Sequence, residues 1–282
     1  MAFVNTGARL RVMSPAAVRF SSRVRLFCLC LCLSFAAACA SAPKKPPVGS
    51  LEPDKFLYEN GSKALEDKRW LSSREYFRQL VDSYPQSPYR ADAKLGIADT
   101  YLGEHSMESQ VLAINEYREF LQFYPTHDRA DYAQFKLGMA HFQQMKGPER
   151  DQTETKEAIK ELTTFMQRYP TSSLAPEASK RLREVRDRLS QSEYRVGVFY
   201  YRQRWYPGAI DRLTAVLKND PEFTYRDGVY YHLAQIYLKA GRTAEALPYL
   251  DKLVNEFDKS EYLAEAQKQM ADIKSGVIKD AK

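Results

Sequence analysis

The sequence predicts an all-α chain, an α-solenoid of about five helical hairpins closed by a C-terminal capping helix. Three observations predict it. From residue 54 onward, apolar residues recur at i, i+3 and i+4, the spacing that puts them on one face of a helix with 3.6 residues per turn. A degenerate copy of the first such stretch returns with a period of about 34 residues. The 282-residue chain has only 12 Gly, and its Val, Ile and Thr do not alternate with polar residues, which argues against a sheet.

The first stretch, Asp54 to Pro85, sets the template. Leu57, Gly61, Ala64 and Leu65 share a face of a first helix, and Tyr76, Phe77, Leu80 and Val81 share a face of a second. Asp67 to Trp70 makes the turn. Gly61 is small where a partner helix must come close, and Pro85 cannot continue a helix, so it closes the unit. A hairpin this short cannot bury its apolar face alone; the period, the small residue at the crossing and the terminal Pro are the tetratricopeptide signature. The second unit places Ala93, Gly96, Ile97, Ala98 and Tyr101 inward, then Ala113, Ile114, Tyr117, Phe120 and Leu121, and ends at Pro125. About five extra residues are expected in its turn, near Glu104 to Glu108. The third places Tyr132, Phe135, Gly138, Met139 and Phe142 against Ala158, Leu162 and Phe165, with an exposed loop expected from Gln144 to Glu154.

From Pro176 to Arg202 no Pro or turn cluster interrupts a stripe of Leu182, Val185, Leu189, Tyr194 and Val198, so one long helix or two nearly collinear ones are expected. Its partner carries Ala209, Ile210, Leu213, Val216 and Leu217 and stops before Pro221. The fifth unit pairs Tyr230, Leu233, Ala234 and Tyr237 with Ala246, Leu250, Leu253 and Val254 across Ala240-Gly241-Arg242. The more polar helix from Tyr262 to Ile273 is the expected cap, because a terminal repeat needs a polar outer face. Stacked hairpins of this kind offer a surface for extended segments or helices of other proteins, so the fold favours scaffolding over catalysis.

The N-terminus has a different character. Arg9, Arg11, Arg19, Arg23 and Arg25 precede the apolar run Leu26 to Phe35, which is shorter than the roughly 20 residues of a membrane-spanning helix. It fits the apolar region of a secretory signal, and Ala36-Ala37-Ala38-Cys39 then looks like a lipobox, with Cys39 as the lipidated residue. Translation from Met13 gives a signal of more usual length than translation from Met1, and both starts stay open. Setting aside those five arginines, 37 of the 42 basic residues remain against 36 acidic ones, so the body carries no electrostatic footprint for nucleic acid. All four Cys, at 28, 30, 32 and 39, lie in this segment. Ala40 to Pro53 is rich in Pro, Ser, Ala and Lys and reads as a tether. The expected division is a signal peptide over 1–38, a lipidated N-terminus and tether over 39–53, N-terminal repeats over 54–127, C-terminal repeats with the cap over 128–275, and a tail over 276–282. A non-acidic residue after the lipidated Cys places the body on the periplasmic face of an outer membrane.

Few residues suggest chemistry. His105, His127, His141 and His232 occur singly, without a paired metal-binding spacing, and no phosphate loop or GxSxG is present. No cofactor is expected and no catalytic residue is nominated. The acidic residues Glu149 and Asp151 read as solvated loop residues. The densest feature is aromatic: Tyr194, Phe199, Tyr200, Tyr201, Trp205 and Tyr206, with Arg202, Arg204 and Arg212 beside them. Tyr, Trp and Arg are enriched at interface hot spots, which makes this stretch the leading partner-site candidate.

YPTHDRADYAQFKLGMAHF (Tyr124 to Phe142), ERDQTETKEAI (Glu149 to Ile159) and KRLREVRDRLSQSEYRVGVFYYRQRWYPGAIDRL (Lys180 to Leu213), in that order behind a lipobox and a Pro-rich tether, resemble the BamD (ComL) family of outer-membrane assembly lipoproteins. The resemblance covers nearly the whole mature chain. It implies a non-catalytic scaffold subunit of the machinery that inserts β-barrel proteins. It further implies docking on a BamA-like barrel subunit through the C-terminal repeats, near Trp205, Tyr206, Arg202 and Arg212. Unfolded outer-membrane barrel proteins would be received in a groove of the first two units, near Tyr58, Tyr89 and Tyr101. Other Bam lipoproteins, such as BamC and BamE, are left open as partners. The chain departs from the family in its longer N-terminus and short insert after Phe142. A tetratricopeptide lipoprotein coordinating peptidoglycan or Tol-Pal machinery stays open as an alternative, though such a coordinator carries a coiled-coil segment that this chain lacks. A peptidoglycan hydrolase built on a helical solenoid is the enzymatic alternative, and the missing constellation argues against it.

Overall fold

Gly61 and Gly96 face one ring, that of Phe77, and around this contact the first two hairpins stack. In the computed structural model, which describes residues 45–278, the described residues form eleven helices and no strand. They are α1 (Pro53–Glu66), α2 (Trp70–Ser83), α3 (Arg90–Glu104), α4 (Met107–Phe123), α5 (Ala130–Gln143) and α6 (Thr153–Arg168). After them come α7 (Ala175–Arg202), α8 (Tyr206–Asn219), α9 (Arg226–Lys239), α10 (Thr243–Glu256) and α11 (Leu263–Lys274). Each helix packs on the next, and first helices of neighbouring hairpins also touch, α1 with α3 and α7 with α9. Contact confined to neighbours along the chain is the solenoid pattern. The expected signal peptide, Cys39 and the beginning of the tether, as well as the last four residues of the tail, lie outside the described residues.

Small residues let the helices close. A Cβ on Gly61 would stand 2.7 Å from the Phe77 ring, and one on Gly138 would stand 2.8 Å from Leu162, so both crossings are closed to a larger side chain. Phe77, Leu80, Tyr117 and Phe120 are buried in the first core cluster. That cluster continues into α5 through Ala133, Leu137 and Ala140, so the core crosses residues 127 and 128 without a gap. The 28-residue α7 is a single helix of about 42 Å at 1.5 Å per residue. Ala178 and Val185, near its start, pack with Phe135, Leu162 and Phe165, whereas Tyr194, Tyr200 and Tyr201, near its end, pack with Leu213, Phe223 and Leu233. One helix therefore serves two cores.

The links between hairpins repeat a joint. The Ser87 hydroxyl donates to Asp54 at 2.7 Å, Ser172 to Asp131 at 2.6 Å and Ser260 to Asp227 at 2.6 Å. In each case the same hydroxyl accepts from the backbone N–H two residues on, which turns the chain into the next helix. His127 takes the Ser position in the second link, its Nδ1 accepting from the Arg129 N–H at 3.2 Å, while Arg129 itself pairs with Asp92. In the fourth link Thr224 donates to Asp187 at 2.7 Å.

Two loops differ from expectation. The extra residues of the second unit lengthen its helices, to 15 residues in α3 and 17 in α4, and leave only His105 and Ser106 between them. Ser106 and Ser109 cap each other's backbone at the start of α4, so the helix begins earlier than its apolar face does. The segment after α5 does not extend freely: Arg188 donates to the Lys146 carbonyl at 3.0 Å, Arg195 pairs with Glu149, and Gln152 donates to the Gly147 carbonyl at 2.8 Å, which ties it over α7.

Candidate functional site

The layer of first helices carries a groove of about 510 Å³ where α7, α9 and the start of α11 meet. Its floor is Tyr194, Val198, Phe199, Tyr231 and Tyr262. The Tyr231 and Tyr262 rings stack at 4.3 Å, and His232 lies edge-on to Tyr194, Tyr201 and Tyr231. The His232 Nδ1 stands 2.8 Å from the Gly228 carbonyl oxygen, to which it donates, and 3.1 Å from the Tyr194 hydroxyl. That tautomer leaves Nε2 as an acceptor in the groove. Burial pushes the imidazole's pKa down, the Arg202 charge adds to the effect, and the Gly228 carbonyl works against it. Burial likewise raises the Tyr194 hydroxyl. An aromatic floor, a neutral imidazole and guanidinium groups at the rim suit binding of a segment of another chain.

A second cleft, about 570 Å³, opens between α6, α7 and α8. Ile159, Leu189, Ala215 and Val216 form its apolar floor, and Lys156, Arg186 and Arg212 give it a basic rim. Arg212 stands 3.5 Å from Glu193, both being about half exposed, so this pair holds loosely. Beneath the cleft, Asp220 accepts two hydrogen bonds from the Arg183 guanidinium, one at 2.9 Å, and one from Ser190 at 2.6 Å. Burial works to raise the Asp220 carboxyl, but these donors outweigh it and hold it below its ordinary value.

The four residues nominated for a partner therefore fall in three places. Arg212 lines the cleft and Arg202 the groove. Trp205 stands at the tip of the α7–α8 turn, 55% exposed, its ring edge-on to Tyr200 at 4.7 Å, and Tyr206 is half-buried beside Tyr201. Of the three nominated groove tyrosines, Tyr58 and Tyr89 come together in a stack at 5.0 Å. Tyr101 does not join them as a groove residue: it is only 6% exposed, packed in the core beneath the Arg74 guanidinium and accepting from Arg78. Sequence reasoning missed Tyr231, His232 and Tyr262. The available signal was internal: Asp54 with Ser87 and Asp227 with Ser260 are both 33 residues apart, and each joint carries a stacked tyrosine pair, Tyr58 with Tyr89 and Tyr231 with Tyr262.

His141 is structural. Its Nδ1 lies 2.7 Å from Glu154 and its Nε2 3.2 Å from Arg118, which joins α4, α5 and α6. Among the described residues no group of three or more His, Cys, Asp or Glu could hold a metal ion, and no helix is long and apolar enough to cross a membrane.

The family model described as YfiO, outer membrane lipoprotein, matches residues 51–246. A Caulobacter vibrioides protein called outer membrane protein assembly factor BamD is 29% identical over 211 residues, covering 74% of this chain and 68% of that one. The protein of the same name from Vibrio cholerae is 26% identical over 194 residues, 65% of this chain and 78% of that one. Among solved structures, a thermophilic TPR protein of Thermus thermophilus is 17% identical with a TM-score of 0.34, covering 78% of this chain and 97% of that chain.

Proposed function

Because the chain belongs to the YfiO family of outer membrane lipoproteins, we propose that it serves outer-membrane protein assembly as a non-catalytic scaffold, held at the periplasmic face by a lipid on Cys39. The observation that carries this reading is the family match across 51–246, supported by the relatives called outer membrane protein assembly factor BamD. The cleft of α6, α7 and α8 is the docking face for a BamA-like barrel subunit: its apolar floor supplies buried area, and Lys156, Arg186 and Arg212 select an acidic surface. The aromatic groove of α7, α9 and α11 holds an extended segment of an unfolded barrel protein by stacking and by hydrogen bonding to its rim. A shared membrane raises the effective concentration of scaffold and barrel subunit, so moderate contacts suffice.

Affinity purification of the lipidated chain from detergent-solubilised outer membranes tests the reading. A barrel protein with periplasmic repeat domains is the expected main partner. Arg212→Glu is expected to lower its recovery about tenfold, a change of about 1.4 kcal/mol, with the helical circular dichroism unchanged. Undiminished recovery removes the cleft from the interface, and a predominance of peptidoglycan-associated proteins transfers the scaffold to cell-wall coordination.

A further inference from the structure

Stacked hairpins place all their α–α turns on one edge and all their links on the other, and in the fourth and fifth hairpins the two edges carry opposite charge. Links four and five carry Asp220, Glu222, Asp258 and Glu261 against Lys259, whereas turns four and five carry Arg204 and Arg242 and no carboxylate. Arg202 and Lys239, at the ends of α7 and α9, extend the basic group. Arg242 pairs with Glu245. Among the described residues no ion pair engages Arg202, Arg204 or Lys239; Lys239 donates to the Tyr201 hydroxyl, and the charge of Arg204 is felt there as well. Phe199 and Trp205 beside them are each 55% exposed.

The backbone adds an independent sign. Arg204 has φ 61°, the left-handed region, at the position where the next turn uses Gly241 at φ 67°. Lys68, at φ 56°, occupies the same place in the first turn, and His105, also at φ 56°, directly follows α3 in the shorter second turn. Two turns thus accept a strained basic side chain at the tip where glycine is free of strain. Both tryptophans of the chain, Trp70 and Trp205, also lie at this edge, and Trp beside Arg and Lys is the chemistry of a bilayer's polar interface.

We propose that the turn edge of the fourth and fifth hairpins rests on an anionic bilayer surface, with Arg204 and Lys239 on lipid phosphates and Trp205 at the headgroup level. The proposal rests on the reading of a lipid-anchored protein. A planar anionic surface fits cations splayed on turn tips better than a protein pocket does, and it repels the acidic link edge, which fixes the orientation. The anchor permits it: α1 begins at the link edge, the hairpin is about 21 Å tall at 1.5 Å per residue, and the stretch from Cys39 to Glu52 reaches at most about 49 Å.

The test reconstitutes the lipidated full chain in phosphatidylcholine vesicles with and without phosphatidylglycerol, carrying a headgroup-depth lipid quencher. The signal is the tryptophan emission that Trp205→Phe removes. Quenching that requires phosphatidylglycerol and is released by high salt is expected. Arg204→Gly is expected to lower the docked-to-undocked ratio about fivefold, or about 1 kcal/mol, while melting no lower than the parent, since glycine relieves the turn. Quenching that is absent, or indifferent to phosphatidylglycerol and salt, overturns the proposal; so does a Trp205 that responds only to added barrel subunit, which assigns the edge to a protein. Flotation at high salt judges the anchor separately. If the chain does not float there, the anchor reading falls, and flotation at low salt with phosphatidylglycerol vesicles judges the edge.

Discussion

Asp220 shows what a single side chain does in a stack of hairpins. It is 8% exposed, begins the link after α8, and receives Arg183 and Ser190, both from α7, so one carboxylate ties α7 to the end of α8. Replacing it leaves a partly buried guanidinium without its main partner. Asp220→Asn is expected to cost about 2 kcal/mol in urea unfolding near neutral pH, below the roughly 3–5 kcal/mol typical of fully buried pairs, because Asp187 still holds Arg183. The pH dependence follows from the sign of the shift. The folded carboxyl lies below its ordinary 3.8, so its contribution is complete above that value and fades as pH falls through the folded one. The gap between parent and variant should therefore be constant near neutrality and close in acid below pH 3.8. A gap that persists there would assign the effect to packing instead.

At the scale of the helices, the glycine crossings set the spacing. Gly61→Leu forces a branched side chain into the Phe77 ring, and the ring cannot retreat because Gly96 brings α3 against its other side. A loss of about 3 kcal/mol is expected, seen as a lower melting temperature with helical content kept; an unchanged melting temperature would show that α1 can move away. This crossing was legible in the sequence, as were the hairpins, the faces of α2, α6 and α10, and the long α7, because each depends on local periodicity. What was not legible depends on where elements end. Arg202, Trp205 and Arg212 are close in sequence, yet the turn at 203–205 reverses the chain and sends them to a groove, an edge and a cleft. Tyr101 is the opposite case: its periodicity with Gly96 and Ile97 already set it inward, where it is buried, and only the family resemblance drew it into the groove. The early start of α4 was hidden, since its capping box uses Ser109 where Glu or Gln is usual.

At the scale of the body formed by residues 45–278, contact runs almost wholly between neighbours, so stability should run from hairpin to hairpin without one global core. The cap tests this directly. Helix α11 buries Ala266 and covers α10 with Leu263, Met270 and Ile273, each partly buried, which is worth about 3 kcal/mol at roughly 1 kcal/mol per large side chain. Deleting residues 263–282 opens the cluster of Tyr230 and Leu253, whose remaining members lie mostly in α9 and α10 and reach α8 only through Leu217, so the loss should fade within one hairpin. Amide hydrogen exchange in the truncated chain should quicken by on the order of a hundredfold in α10 and the end of α9, the kinetic equivalent of that energy. Exchange in α1 to α4 should stay as it was, because Phe77, Tyr117 and Phe120 share no contact with the cap. If protection fell equally at both ends, the hairpins would be folding as one cooperative unit, and the long α7, which enters two cores, would be the element that couples them.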